Sequence, residues 1–101
     1  MGRKPEKTTR SEFFLLVVGL CSKISYDKIT QKIIAAETGL STSLVSYYFH
    51  NMDNLKSEIM TYAIDQELVH IVSEGLAMKN IFALDCSQEL KDKCAEYLRG
   101  L

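Results

Sequence analysis

The chain has 101 residues, enough for one compact domain and little more. With 47% hydrophobic and 25% charged residues, its composition is that of a folded globular protein and excludes extended disorder. One proline and five glycines leave few helix breaks, and apolar residues recur every three or four positions, which together favour an all-α fold.

The net charge of −1 hides an asymmetry between the two halves of the chain. Residues 1–50 carry seven basic and four acidic side chains, a net charge of +3. Residues 51–101 carry five basic and nine acidic side chains, a net charge of −4. Such a split suggests that one end of the protein meets a polyanion, although random scatter over a short chain gives the same pattern.

Several classes of function find no support in the residues. Met1–Arg10 is too polar for a signal peptide, and the apolar run Phe13–Leu20 is too short to span a bilayer, so we expect a cytoplasmic protein with no membrane partner. Cys21, Cys86 and Cys94 lack metal-ligand spacing, which predicts reduced thiols and no metal or other cofactor. No catalytic constellation and no phosphate-binding glycine loop is visible, so we do not expect an enzyme.

In chain order, the first predicted elements are a basic arm and a helix. The arm covers about the first ten residues, and the helix begins at Thr8 or Thr9 and runs to about Ser22. Its expected buried face is made of apolar residues at helical spacing, namely Phe13, Leu16, Val17 and Leu20, widened by Phe14 and Val18.

Two short helices separated by a glycine come next. Thr30 is the expected N-cap of a second helix over residues 31–38, which stops at Gly39 because glycine readily adopts the left-handed conformation of a helix end. Ser41 is expected to cap a third helix that ends near Phe49. Helix, three-residue turn with glycine, and helix form the helix-turn-helix pattern, whose second helix enters the major groove of double-stranded DNA.

The remaining residues predict a longer helical segment. After a polar break, a fourth helix is expected from an N-cap at Asp53 to about Ser73, and its wide apolar arc should pack against two neighbours, one of them a second copy of the chain. Gly75 is expected to mark a bend, and Ser87 to cap a last helix to about Leu98. The predicted fold is therefore an all-α three-helix bundle that contains a helix-turn-helix (1–52), followed by a long fourth helix and a short C-terminal helical segment that dimerise (53–101).

Small, apolar, glycine and aromatic side chains fall in a specific order between residues 30 and 55. They are Thr30, Ile34, Ala35, Gly39, Leu40, Ser41, Tyr48, Phe49 and Leu55. This order resembles the DNA-binding domain of the tetracycline-repressor (TetR) family, whose pattern is Thr-x-x-x-Ile-Ala-x-x-x-Gly-Val-Ser followed by an aromatic-rich recognition helix that ends in Phe. The resemblance covers about residues 9–65 and implies a homodimeric, sequence-specific transcriptional regulator, expected to repress from a palindromic site and to associate with the nucleoid.

The third helix is expected to have one buried and one DNA-contacting face. Val45 and Phe49 should anchor it to the first helix. Side chains on the opposite face and at the helix start are expected to reach base edges: Thr42, Ser43, Ser46, Tyr47 and His50. Leu44 either meets a thymine methyl group or completes the core. The resemblance implies that Tyr48 hydrogen-bonds a phosphate and fixes the docking angle.

Positive charges outside the third helix are expected to contact the DNA backbone. They are Lys28, Lys32 and Lys56, together with Arg3, Lys4, Lys7 and Arg10 of the arm, and Thr30 at the start of the second helix belongs to the same candidate set. The arm either reaches a neighbouring minor groove or is a solubilising tail.

Three departures from the family pattern limit what the resemblance implies. Met52 stands where a lysine usually contacts the DNA backbone, and Ser46 replaces a frequent tyrosine. Only about fifty residues follow the recognition helix, where family members carry a larger effector-binding domain. Two helices per chain cannot wall a drug-sized pocket, so no small-molecule effector is expected. Dimerisation is still expected, because the fourth helix and the apolar run 81–84 need cover.

Two other functions remain open. An interaction protein, such as an antirepressor or a heterodimer partner, is favoured by Met52 and by the lack of arginine or lysine in the recognition helix. A DNA-architectural subunit would bind duplex DNA with little sequence preference.

Overall fold

The structure, a computed structural model, describes residues 8–101, and in this range it contains α-helices and no β-strand. The first half contains α1 (Arg10–Leu20), a 3-10 helix (Tyr26–Lys28), α2 (Gln31–Thr38) and α3 (Ser43–Phe49). The second half contains α4 (Met52–Asp65), α5 (Val69–Ala77), α6 (Ile81–Leu84) and α7 (Gln88–Arg99). The chain divides into two compact units, one ending at Lys56 and the other beginning at Ser57. For the described residues, the all-α prediction is confirmed.

Local capping signals set several helix boundaries where the sequence predicts them. Thr9 Oγ1 accepts the Glu12 N–H at 3.1 Å while Glu12 Oε1 accepts the Thr9 N–H at 3.0 Å, a capping box that starts α1. Thr30 and Ser87 cap α2 and α7 through hydroxyl oxygens that accept a backbone N–H three residues further on. Gly39 ends α2 with a φ of 74°, in the left-handed region.

The core of the first unit is built from one face of each helix, with α1 packed against α2. Its buried side chains include Phe13, Val17, Leu20, Cys21, Tyr26, Ile29, Ile34, Leu40, Leu44, Val45, Phe49 and Leu55. The prediction that Leu16 joins this face is wrong, since its side chain is exposed. The buried face of α1 extends from Phe13 and Val17 towards the half-buried Phe14 and Val18, and Leu16 lies beyond its opposite edge.

One continuous fourth helix over residues 53–73 is not found, because α4 and α5 are separate helices. The chain leaves α4 through Glu67, whose φ of 55° lies in the left-handed region. The Leu68 N–H then donates to the Ala63 carbonyl at 2.8 Å, the hydrogen bond that closes a Schellman motif. This motif satisfies the last carbonyls of α4 and ends the helix without a glycine.

Two helix starts also differ from prediction. Asp53 is not an N-cap: it lies in the first turn of α4, and Asn51 Oδ1 accepts the Asn54 N–H at 2.8 Å in its place. The third helix begins at Ser43, one residue later than an N-cap at Ser41 predicts. Ser41 nevertheless acts at this end, since its hydroxyl oxygen accepts the Ser43 N–H at 3.1 Å.

In the second unit, α5 packs against both α6 and α7. Buried side chains in this unit include Ile59, Met60, Ala63, Ile71, Val72, Ala83, Leu90 and Cys94. The prediction that Gly75 marks a bend is wrong, because Gly75 lies inside α5. A Cβ atom at Gly75 would lie 2.5 Å from Met60 Cε and 2.9 Å from Ala83 Cβ, so the position requires glycine because its neighbours approach closely.

The apolar run 81–84 forms a helix of its own, α6, which the sequence does not predict. Asn80 Oδ1 caps it by accepting the Phe82 and Ala83 N–H groups. Ala83 is buried, whereas Ile81, Phe82 and Leu84 are exposed. No helix within residues 8–101 is long and apolar enough to cross a membrane.

Candidate nucleic-acid interface

Three apolar side chains hold α3 in the core of the first unit. Val45 and Phe49 point inward, as predicted from their spacing of four residues. Leu44 is also buried, with 1% of its surface exposed. Of the two alternatives for Leu44, the structure therefore selects the core, and the expectation that Leu44 contacts a base is corrected, because a side chain buried to this extent does not reach DNA.

The opposite side of α3 is exposed to solvent. It carries hydroxyl, phenol and imidazole groups on Thr42, Ser43, Ser46, Tyr47 and His50, a set called the α3 face below. At about 100° per residue, positions 43, 46, 47 and 50 lie within an arc of roughly 100° around the helix. Tyr47 is the largest of these side chains and is 69% exposed. The predicted base-contacting residues, Leu44 excepted, thus lie together on one surface.

The N-terminal end of α3 is tied to the start of α2 by Gln31, a residue that the sequence motifs do not single out. Gln31 Nε2 donates to the Thr42 carbonyl at 3.0 Å. The contact brings the first turn of α2, with the exposed Lys32 and the exposed N-cap Thr30, close to the start of the α3 face. Lys28 is exposed at the end of the 3-10 helix. No sequence signal identifies Gln31, because its partner lies eleven residues away, at the start of another helix.

The C-terminal end of α3 is tied to the start of α1. The Tyr48 hydroxyl donates to the carbonyl of Thr8, and Arg10 Nε donates to the Tyr48 carbonyl at 3.3 Å. The Arg10 guanidinium also lies over the Phe49 ring, 4.2 Å from its centroid. We call Thr8, Arg10, Tyr48 and Phe49 the Tyr48 cluster. Arg10, counted with the arm from the sequence, is the first residue of α1, as an N-cap at Thr9 predicts.

His50 closes α3 in an unusual backbone conformation. Its φ of 81° and ψ of −56° are close to those of a γ-turn of the rarer kind, which is strained in residues other than glycine. Its N–H donates to the Ser46 carbonyl at 3.2 Å. His50 is exposed and lies at the end of the α3 face.

Lys56 is engaged within the first unit. Its ammonium group lies over the Tyr26 ring, 5.2 Å from the centroid, and donates to the Asp27 carbonyl at 3.3 Å. The Tyr26 hydroxyl donates in turn to the Lys56 carbonyl at 2.7 Å. Burial, with a smaller contribution from nearby Cys21, raises the pKa of Tyr26 to about 12. These contacts give Lys56 a structural role: they connect the N-terminal part of α4 to the 3-10 helix.

Other predicted residues lie elsewhere. Arg3, Lys4 and Lys7 belong to residues 1–7, outside the described part of the chain. Cys21 and Cys94 are buried and Cys86 is half-buried, all three as free thiols. Within residues 8–101, no group of three or more His, Cys, Asp or Glu side chains is placed to hold a metal ion.

An open groove of about 470 Å³ lies in the second unit, beside α6. It is lined by Thr61, Ile64, Ile81, Phe82, Asp85 and Cys86. Since α6 exposes apolar side chains next to it, this part of the second unit is a candidate protein-contact surface.

Comparisons of the chain with protein-family models, with curated proteins and with solved structures give no match. The likeness to the TetR family therefore rests on the motif residues between Thr30 and Leu55.

Proposed function

We propose that this chain is a sequence-specific DNA-binding regulator of transcription that presents the α3 face to the major groove and binds a two-fold-symmetric site as a homodimer. The observation that carries the proposal is the division of α3 into a buried and an exposed side. Leu44, Val45 and Phe49 fix the helix, while a tyrosine that is 69% exposed stands among four small or polar side chains.

The chemistry of the α3 face suits contact with base edges. Serine and threonine hydroxyls donate to or accept from any base, and a threonine methyl group or an aromatic ring packs against the thymine methyl group. Tyr47 packs edge to face against the ring of Tyr48, with centroids 4.9 Å apart, yet 69% of its surface is exposed and available to a partner. The two-ended fixation of α3, through Gln31 and through the Tyr48 cluster, gives such a surface the rigidity that specific recognition needs.

Homodimer formation is the second part of the proposal, and exposed apolar residues of the second unit support it. Seven large apolar side chains between residues 78 and 101 are exposed: Met78, Ile81, Phe82, Leu84, Tyr97, Leu98 and Leu101. Exposed apolar patches rimmed by polar residues are typical of protein contacts. A two-fold dimer repeats the α3 face about one helical turn of DNA apart, which requires a palindromic site.

A protein-interaction function is the second candidate, and one observation favours it. Residues 41–51 contain no arginine or lysine, whereas most specific contacts to guanine use these side chains. A surface that lacks arginine and lysine and exposes a tyrosine also suits a protein partner, because tyrosine is enriched at the centres of protein interfaces.

Selection of duplex DNA from a random pool distinguishes these functions. The full chain, Tyr47→Ala and the control Leu15→Ala are tested in parallel; Leu15 is an exposed apolar residue on α1, so the control removes a comparable exposed side chain outside the α3 face. Enrichment of a two-fold-symmetric motif by the full chain and the control, and its loss in Tyr47→Ala, supports the proposal. Absence of enrichment, or binding that ignores sequence in all three proteins, refutes it.

A further inference from the structure

The groove beside α6, called the α6 groove below, combines apolar side chains with one carboxylate. Ile64, Ile81 and Phe82 supply apolar surface, and Asp85 is the charged residue of its lining. Within residues 8–101, the Asp85 carboxylate forms no salt bridge. A surface of this kind suits an occupant that presents apolar side chains around a positive charge.

Residues 97–101, called the α7 end below, have this combination of side chains. The first part of the apolar stripe of α7 is covered by α5: Leu90 and Cys94 are buried, and Cys94 Sγ lies 4.0 Å from the carbonyl oxygen of Val69, the first residue of α5. The stripe then continues through exposed side chains, which are Tyr97, Leu98 and Leu101. Arg99 lies among them, exposed, and its guanidinium forms no salt bridge with residues 8–101.

The α7 end cannot fill the α6 groove of its own chain. The helix α7 begins at Gln88, three residues after Asp85, and has 12 residues. A helix of this length extends about 18 Å, which is farther than the side chain of Arg99 reaches back. Any α7 end that occupies the groove therefore belongs to another molecule.

A second copy of the chain can supply that end in a reciprocal way. In a two-fold dimer, each contact between two residues is repeated with the two copies exchanged. When the two α7 helices run antiparallel, the end of each lies near the start of the other, beside the groove residues Asp85 and Cys86. Because both helices have the same length, both grooves are filled at once. One arrangement thus covers the exposed apolar side chains of the α6 groove and of the α7 end in both copies.

We propose that the α6 groove of each chain receives the α7 end of a second copy, with Leu98 and Leu101 against the apolar lining and Arg99 of the partner subunit paired with Asp85. The inference rests on the proposed homodimer and adds to it the surface through which the dimer forms. The two Asp85–Arg99 salt bridges, one at each groove, fix the relative position of the two copies.

Charge reversal at the two sides of this salt bridge tests the pairing, with sedimentation equilibrium at low salt as the measurement. Asp85→Arg places two guanidinium groups together at both contacts of a dimer, and Arg99→Asp places two carboxylates together. In a mixture of the two variants, heterodimers again join one arginine and one aspartate at each contact. A salt bridge within a single chain would not be restored by mixing.

The matched controls reverse charges at an exposed ion pair of the first unit, where Lys23 Nζ lies 3.6 Å from Glu37 Oε1. Glu37→Arg and Lys23→Asp alter the net charge by the same amounts as the two test variants. All four substituted residues are exposed, so the buried core is unchanged, and circular dichroism confirms that each variant is folded.

The Cys86 thiol provides a second readout, because an occupied groove should shield it. Cys86 is half-buried, whereas Cys21 and Cys94 are buried, so a thiol reagent reaches Cys86 first in the folded protein. Its reaction with a maleimide should slow as the concentration of the unsubstituted protein rises and the dimer forms. In Asp85→Arg the rate should stay fast over the same concentrations.

Each test variant alone should raise the dissociation constant of the dimer by roughly tenfold or more, because two contacts per dimer change from attractive to repulsive. The equimolar mixture should recover most of the lost affinity, and the controls should leave the constant nearly unchanged.

Three results would overturn the inference: test variants that dimerise as well as the controls, a mixture as weak as its components, or a Cys86 reaction rate that does not depend on concentration. If the unsubstituted protein is a dimer and any of these results appears, only the reciprocal groove contact is refuted. If the unsubstituted protein is a monomer at every concentration, the homodimer part of the proposed function is refuted with it, while duplex selection tests DNA binding separately.

Discussion

Two glycines within helices provide a matched test of the packing in the second unit. A Cβ atom at Gly19 in α1 would meet no neighbouring group within 4 Å, whereas a Cβ atom at Gly75 in α5 would meet Met60 Cε at 2.5 Å and Ala83 Cβ at 2.9 Å. Alanine is favoured over glycine in a helix by up to about 1 kcal/mol, and Gly19 near the end of α1 should gain roughly 0.5–1 kcal/mol. At Gly75 this gain is opposed by overpacking, which costs about 1–3 kcal/mol.

Gly75→Ala is therefore expected to lower the free energy of unfolding by about 1 kcal/mol, while Gly19→Ala raises it. The difference between the two variants, about 1–3 kcal/mol, isolates the overpacking cost because the helix-propensity contribution is common to both. Urea denaturation followed by circular dichroism measures it, and the midpoints should differ by about 1 M. Equal stabilisation by both substitutions would show that α5 and α6 do not pack as closely as described.

Three further predictions follow from particular residues. The pKa of Tyr26 is raised from 10.0 to about 12, so between these values the folded state keeps a proton that the unfolded state loses. The free energy of unfolding should therefore fall as pH rises above about 10. In urea denaturation at a series of pH values, Tyr26→Phe should make this fall smaller. His50→Gly should relieve backbone strain and raise the unfolding free energy by about 1 kcal/mol in thermal denaturation, while weakening duplex binding; unchanged stability would contradict the strain. Ile81 on α6 is 73% exposed, and Ile81→Asp should shift the dimer towards monomer in sedimentation equilibrium, whereas Leu15→Asp on α1 should not. Equal effects of the two substitutions would show that α6 does not form the dimer contact.

Features that depend on a few neighbouring residues can be predicted from the sequence. Helix caps at Thr9, Thr30 and Ser87 are local, because a side chain and a backbone N–H three residues on suffice to form them. Gly39 is equally local, since it alone among nearby residues adopts a positive φ without strain. The buried and exposed sides of α3 follow from helical periodicity, which is why the burial of Val45 can be predicted.

No capping residue or glycine in the sequence predicts the break between α4 and α5. Two helices in the second unit end in left-handed residues that are not glycine, Glu67 after α4 and Lys79 after α5. In both cases the following N–H donates to a carbonyl five residues earlier, at 2.8 Å. The Lys93 ammonium binds Glu67 Oε1 at 2.7 Å, a partner 26 residues away that the local sequence does not indicate. The end of α4 is therefore associated with a tertiary contact, and the helix propensities of the neighbouring residues do not predict it.

The Tyr48 cluster could not be predicted from the sequence either, because it too joins residues that are far apart in the chain. Arg10 and Tyr48 are 38 residues apart, and their contact depends on how α1 crosses the end of α3. The family resemblance implies that Tyr48 fixes the docking angle, but it assigns the Tyr48 hydroxyl to a phosphate. A motif identifies a residue type at a position, whereas the direction of one O–H depends on which acceptor the fold places beside it.

In the proposed DNA complex, different residues supply sequence specificity and electrostatic affinity. The α3 face contains no lysine or arginine, and every lysine or arginine proposed to meet DNA, including Lys28 and Lys32, lies outside it. Phosphate contacts contribute affinity without sequence preference, whereas base contacts discriminate between sequences. Substituting Lys32 should therefore weaken binding to all duplexes alike, and substituting Tyr47 should remove the preference for the selected duplex over others. A protein-interaction module would show neither behaviour, so this pair of variants discriminates between the two candidate functions even before an operator is known.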